Sequence, residues 1–172
     1  MRVVLLCATN RGYRFLKRLR ELQPNLELVV FSFREEPSEP PFLDDIRDFT
    51  LDSGGQFYQA RNLGNNHLQE FWDTVDVQLM LCVSWRYMVP SSVYLRPSLG
   101  SYVFHDSLLP QYRGFSPTVW SLINGEDHTG VTLFKMSEKF PVSLSRMSLF
   151  LFRSEDVQFA PATIVDNSFK RS

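Results

Sequence analysis

The sequence predicts an α/β fold built on a doubly wound, mostly parallel sheet, and three observations carry that expectation. Segments with strand character alternate with segments of helical spacing along most of the chain, the order that produces a parallel sheet. The strand segments, among them Arg2–Ala8, Leu26–Phe33 and Val77–Ser84, are nearly unbroken apolar runs, as strands covered on both faces should be. The run Tyr102-Val103-Phe104 ends on His105 at the mouth of a loop. In such sheets the carboxyl ends of the strands border the ligand crevice, which makes His105 the candidate reactive group.

A chain of 172 residues with 44% hydrophobic and 14% aromatic content can fill one core, and no second complete domain is expected. The net charge is -1 with 22% charged residues. That balance gives no field favouring nucleic acid or an anionic membrane as main partner. Cys7 and Cys82 lie inside apolar strand-like runs and fit no metal spacing; they read as reduced core residues of a cytoplasmic protein, and no metal site is expected. The opening, Met1 to Ala8, is too short for a signal peptide with its cleavage site and reads as a first buried strand. No run approaches the ~18 apolar residues that a membrane span needs.

In chain order, the strand Arg2–Ala8 is followed by a loop, Thr9-Asn10-Arg11-Gly12, and by a helix from Tyr13 to Leu22 whose Phe15, Leu16, Leu19 and Leu22 recur at helical spacing. One glycine is poor support for a dinucleotide fingerprint, so Gly12 reads as a tight turn before it reads as a phosphate contact. Leu26–Phe33 is a second strand. Glu35 to Pro41 is rich in proline and charge, hence a surface loop with a solvated acidic face. A short helix over Phe42–Ser53 and a third strand over Gln56–Ala60 follow. His67–Thr74 reads as a helix that packs Leu68, Phe71 and Trp72 and leaves His67 at the surface. Val77–Ser84 is the next strand, feeding a loop that ends at Pro90. After the His105 strand the chain turns at Pro110 and Gly114. A helix then opens with Ser116 as N-cap and Pro117 at its first position, and closes at Gly125. Gly130–Met136 alternates as a final strand.

Residues 100–120 also carry a resemblance. His105, Ser107, Leu108, Leu109, Pro110, Tyr112, Arg113 and Gly114 match the pattern Asn-x-His-x-Ser-Leu-Leu-Pro-x-Tyr-Arg-Gly of the formyltransferases that use N10-formyltetrahydrofolate. Upstream, Val83 to Pro90 looks like that family's folate-contacting loop; downstream, Trp120 to Glu126 and Thr129 to Leu133 continue the pattern to Met136. The resemblance runs from about Met1 to Phe140. It implies the family's Rossmann-like catalytic domain over 1–140, incomplete at its C-terminus, with a non-matching tail over 141–172.

What the resemblance implies for chemistry is specific. N10-formyltetrahydrofolate would be the co-substrate and His105 the acid/base. Trp85, Arg86, Tyr87, Met88 and Val89 would line the folate site, and Tyr112, Arg113 and Gly114 would hold the acceptor side. The acceptor is expected to be an amino group on a nucleotide-linked 4-amino-4,6-dideoxy sugar, on the look of the run from Arg113 to Trp120. Methionyl-tRNA is the enzyme alternative. Phosphoribosyl-glycinamide ranks lower, because the opening lacks that branch's glycine- and serine-rich phosphate loop. The partners implied are thus folate and nucleotide-sugar small molecules, and a homodimer is compatible with the sequence.

The pattern breaks at two positions. Val103 stands where the family has its Asn, and Pro141 stands where it has the Asp of an Asp-x-Gly turn, with Ser143 in the glycine position. Loss of an oxyanion donor costs on the order of a hundred- to a thousandfold in rate, and loss of the carboxylate that orients a histidine can cost as much. Asp106 is no ready substitute, since neighbouring strand residues face opposite ways; Asp127 lies beyond the helix. The abrupt end of the pattern suggests a shifted reading frame or a truncated product, which gene sequence showing an Asp-x-Gly in another frame would support. Two readings of other classes therefore stand beside the enzyme: a non-catalytic remnant or binding module, and a generic nucleotide binder in which His105, Trp85 and Tyr87 only pack. The tail's aromatic and aliphatic content suits either cover for a sheet edge or an unfolded end.

Overall fold

Val3 to Cys7 of β1 (Arg2–Cys7) and Leu28 to Ser32 of β2 (Glu27–Ser32) are buried on both of their alternating faces. Only central strands with cover above and below allow this. The computed structural model describes residues 1–114, 116–137 and 147–153. With β3 (Gln56–Gln59), β4 (Leu79–Val83), β5 (Ser101–His105), β6 (His128–Lys135) and β7 (Met147–Arg153), these strands form a seven-stranded sheet in the order β3-β2-β1-β4-β5-β6-β7. Neighbours from β3 to β5 pair in parallel, while β6 runs antiparallel to β5 and β7 antiparallel to β6. The sheet grows one way from β1 to β3 and the other way from β4 onward. β1 and β4 therefore flank a topological switch point, where the crossovers leave an open crevice at the carboxyl edge.

Helices cover both faces. On one, α1 (Thr9–Leu22) and α2 (Leu43–Asp52) bring Leu16 and Ile46 against Val3, Leu5, Cys7, Val30 and Val83, with Phe15 on Phe104 at 4.9 Å between ring centroids. On the other, α3 (Gln69–Thr74) and α4 (Ser91–Tyr94) set Phe71, Trp72 and Val93 on Leu6, Phe31 and Cys82. Trp72 closes its polar end by donating Nε1–H to the Leu63 carbonyl at 2.8 Å. α5 (Pro117–Ile123) connects β5 to β6 with Pro117 and Ser121 buried. No helix among the described residues is long and apolar enough to cross a membrane.

Strands and helices fall where periodicity puts them, with four differences. The expected loop at 9–12 is instead the first turn of α1, and Gly12 lies within it, buried. Its role is close approach: a Cβ there would stand 2.9 Å from the Cys7 Cβ, so only glycine lets α1 settle on β1. Ser116 occupies the N-cap of α5 but in left-handed geometry (φ 51) with no side-chain capping bond. α4 is a single short turn after Pro90, below the length at which periodicity shows. Finally, β6 is not the last strand, because Met147–Arg153 pairs along it as β7.

Gly12→Ala should lose about 1–3 kcal/mol of unfolding free energy through overpacking against Cys7. Urea unfolding of the two chains checks this, and an unchanged midpoint would contradict the proposed close approach.

Candidate active site

Two ladder registers place the site. Cys7 pairs with Val83, and Val83 with Phe104, so the next residues, Ala8, Ser84 and His105, leave the carboxyl edge of adjacent strands at one level. The chain then turns sharply. Thr9 has φ 62 and Ser84 φ 56, and the loop after His105 contains Tyr112 at φ 52 and Ser116 at φ 51. A non-glycine residue in this region costs about 1–3 kcal/mol and persists where the surroundings over-determine it, commonly around ligand sites. The described non-glycine residues with positive φ are these four, and all lie in segments leaving this edge.

Alternation along β5 puts Val103 and His105 on the same face, opposite Phe134 and Thr132 of β6. The His105 ring sits edge-on to Phe134 at 6.5 Å and half-buried. Its Nε2 lies 3.2 Å from the Tyr112 carbonyl. A carbonyl can only accept, so Nε2 carries the proton and Nδ1 keeps its lone pair in the neutral ring. Burial pushes the imidazole below its ordinary 6.5, the charge of Arg11 adds to that, and the bond to Tyr112 opposes it. The ring is therefore held towards its neutral form, with Nδ1 as the nitrogen that keeps a lone pair.

The Ser-Leu-Leu-Pro-x-Tyr run holds that carbonyl in place. The Ser107 hydroxyl donates to the Gln111 carbonyl at 2.7 Å, and the Ser107 carbonyl accepts from the Thr132 hydroxyl at 2.5 Å. Leu109 N–H donates back to Thr132 Oγ1 at 3.1 Å, and the Leu109–Pro110 bond is cis. The Tyr112 hydroxyl donates to Glu126 at 2.6 Å and accepts from Asn124 at 3.2 Å. Tyr112, expected on the acceptor side, thus meets the histidine through its main chain. Arg113 is exposed, and Gly114 takes φ 122, which favours glycine.

The loop after β4 divides. Trp85 and Tyr87 stand edge-on to Phe33 at 5.3 and 4.8 Å. Arg86 is held by both Glu39 carboxylate oxygens, at 3.0 and 2.9 Å, with its guanidinium over Phe33 at 5.1 Å. Hydrogen bonds from Arg86 hold the Glu39 carboxyl below its usual range. Met88 is 90% exposed, while Val89 is buried among core residues. The structure therefore gathers Trp85, Tyr87 and Arg86 with Phe33 and Glu39 at the ends of β2 and β4, and sends Met88 and Val89 elsewhere. The acidic loop expected to be solvated is partly inside: Glu35 is only 6% exposed, and its Oε1 accepts from Phe42 N–H at 3.0 Å. It turns inward because that amide, at the start of α2, needs an acceptor.

Sequence reasoning also missed Arg11 and Ser84, and it weighed Asp106 only as a stand-in carboxylate, set aside because neighbouring residues face opposite ways. The Arg11 guanidinium donates to Ser84 Oγ at 3.2 Å and pairs with Asp106. Asp106 follows His105 and so points to the face of α1, away from the imidazole. Of the five buried polar side-chain atoms without a partner among the described residues, Arg20 Nε lies near the end of α1, while Ser32 Oγ, Glu35 Oε2, Trp85 Nε1 and Asp106 Oδ1 sit in or just beyond the carboxyl ends of β2, β4 and β5. Unsatisfied groups concentrated at one edge mark a surface built to meet something polar. Val103 is half-buried beside the core cluster that includes Trp85 and Met136, and Pro141 lies outside the described residues. No group of three or more metal-ligating side chains occurs among the described residues.

A histidine and an aromatic, hydrogen-bonding loop thus leave neighbouring strands at the switch point of a parallel sheet, and comparison with known proteins gives the chain a family. Residues 4–141 match the Formyl transferase family, and the chain belongs to it. It is 30% identical over 81% of its length to the bifunctional polymyxin resistance protein ArnA of Wigglesworthia glossinidia brevipalpis, covering 21% of that protein. To the methionyl-tRNA formyltransferase of Thermotoga sp. (strain RQ2) it is 38% identical over 52% of its length, covering 30% of that relative. The chain thus spans roughly a fifth to a third of these curated relatives. Among solved structures, the phosphoribosylglycinamide formyltransferase of Bacillus halodurans superposes with a TM-score of 0.68 at 10% identity, over 92% of this chain and 83% of that one. A formyltetrahydrofolate deformylase of Pseudomonas syringae pv. tomato gives 0.64 at 16%, over 91% and 53%. At such identities these two show the fold alone.

The depressed His105 pKa makes a stability prediction. The unfolded chain binds this proton more readily than the native one, so the contribution is fully present above the ordinary 6.5 and is lost as pH falls through the lower folded value. Between pH 7.5 and 5 the stability of His105→Gln should therefore fall less steeply than that of the unaltered chain. Urea titrations at the two pH values check this, and parallel slopes would contradict it.

Proposed function

We propose that the chain transfers a formyl group from N10-formyltetrahydrofolate to an amino group, with His105 as the residue that takes the proton. The observation that carries this reading is the His105 ring, its Nε2 occupied by the Tyr112 carbonyl and its Nδ1 left open at the carboxyl edge. The residues at that edge suit a reduced folate. Trp85, Tyr87 and Phe33 offer flat apolar surface, and the Trp85 indole N–H is buried without a partner, which leaves a donor for a heteroaromatic ligand. Residues 1–140 constitute the catalytic domain on this reading, and 141–172 the non-matching tail.

The co-substrate would supply an electrophilic formyl carbon. Nδ1 of His105 accepts the proton that the attacking amine must shed, and the Tyr112 carbonyl steadies the Nε2–H tautomer as the ring gains charge. Val103 has no hydrogen-bond donor in its side chain, so a backbone amide or the ligand itself supplies the oxyanion contact, or the rate suffers accordingly. Arg86 acts indirectly, by tying the Trp85 loop to Glu39.

We take the acceptor to be the 4-amino group of a nucleotide-linked 4-amino-4,6-dideoxy sugar. The run from Arg113 to Trp120 and a net charge of -1 support this, since a charge near zero offers no field for a polyanion. The second reading is a methionyl-tRNA acceptor, favoured by relatives of that name at 34–38% identity. The third, a catalytically inactive remnant or binding module, is favoured by Pro141 in place of the Asp and by the non-matching tail.

Incubation with N10-formyltetrahydrofolate and either nucleotide-linked 4-amino sugars or methionyl-tRNA tests all three. Formyl transfer to the sugar is expected, with His105→Ala slower by about a hundred- to ten-thousandfold. Transfer to the tRNA alone would replace the acceptor, and absence of both turnover and folate binding would overturn the enzymatic reading.

A further inference from the structure

Arg11 belongs to no motif singled out in the sequence, yet it spans the switch point. It projects from the first turn of α1, which leaves β1. Its Nε donates to Ser84 Oγ just after β4, at 3.2 Å, and its Nη2 pairs with Asp106 just after β5. One side chain thus ties together the exits of three adjacent strands. The planar guanidinium suits this because its donors diverge in a fixed fork, which the compact ammonium of lysine lacks. Asp106 is 18% exposed; Arg11 holds one of its carboxylate oxygens, and the other is buried without a partner. Asp106 is also the residue next to His105, so its anchoring fixes the direction in which the chain leaves β5.

We propose that Arg11 is a positioning residue for His105: by bridging Ser84 and Asp106 it locks the exit of β5, keeping the imidazole on the Tyr112 carbonyl with Nδ1 open. This rests on the reading of His105 as proton acceptor. Of the other charged groups at this edge, Glu35 accepts from Phe42 N–H through one carboxylate oxygen, the other being buried without a partner. Arg86, after β4, is committed to Glu39, and Glu126, after α5, to the Tyr112 hydroxyl. Arg113 is exposed, and β6 presents Phe134 and Thr132 opposite the end of β5. Arg11 is also the charged group that acts on the His105 titration, lowering it after burial. The Arg11 side chain is 48% exposed, so part of that influence is screened by solvent.

Nitrogen and proton NMR of the histidine ring in the full chain, followed against pH, tests this without any turnover. The unaltered protein should show His105 titrating below 6.5 with the proton on Nε2. In Arg11→Gln the midpoint should rise, because the cation is gone and Asp106 is left unpaired, although burial still holds it down, and the preference for the Nε2 tautomer should weaken. Arg11→Lys should restore a low midpoint through its charge but not the Nε2 preference, because the ammonium lacks the fork that bridges Ser84 and Asp106. Arg11→Met, which keeps the aliphatic stem, repeats the reading should Arg11→Gln not fold. Midpoint and tautomer unmoved in Arg11→Gln and Arg11→Met would overturn the proposal. A raised midpoint in a chain that shows no formyl transfer would uphold the bridge and count against the formyltransferase reading alone.

Discussion

The site depends on the register of two parallel ladders. With Cys7 opposite Val83 and Val83 opposite Phe104, the strands on either side of the switch point end together. A slip of one residue would turn every side chain of a strand to the other face, moving His105 from beside Phe134 to the side where Phe15 packs on Phe104. That register is secured by what the strands bury. Cys7, Val83 and Phe104 pack under α1 and α2, while Leu6, Cys82 and Val103 belong with the cluster around Phe71 and Trp72. Core packing and site geometry are thus one constraint.

Most of the fold was legible because β1, β2 and β4 read as continuous runs of Val, Leu and Met, a pattern that needs no long-range information. The His105 loop was legible as a motif, although what its members do was not. Tyr112 works through its carbonyl and through a hydroxyl held by Glu126 and Asn124, whereas the sequence offers only a phenol. The pairings that sequence reasoning missed join residues distant along the chain. Arg11 meets Ser84 and Asp106 across 73 and 95 residues, and Arg86 meets Glu39 across 47. Such pairs follow from strand order, which periodicity does not encode. Glu35 was misplaced for a related reason: a loop rich in proline and charge reads as solvated unless the amide awaiting it at Phe42 is known.

The family pattern is retained at some positions and replaced at two, Val103 and Pro141. His105, the Tyr112 carbonyl on its Nε2 and the aromatic loop are all present at one edge. Val103 removes the side-chain donor that the family pattern would place two residues before the histidine, and it lies against an apolar cluster that includes Trp85 and Met136. Any activity therefore leans more heavily on positioning than on a second polar group. In that setting the strained turns at Thr9 and Ser84 have a physical use, since they fix the directions in which neighbouring strands leave the sheet.

The central claim is that a reduced folate enters at the carboxyl edge between β1, β4 and β5. Backbone amide NMR of the full chain titrated with a reduced folate that cannot transfer its one-carbon group tests this most directly. The account predicts saturable shifts concentrated at 9–12, 84–87 and 105–112, accompanied by a higher melting temperature. Shifts confined to the opposite edge, around Leu79 and Ser101, or no shifts at concentrations that saturate other folate-binding proteins, would contradict it.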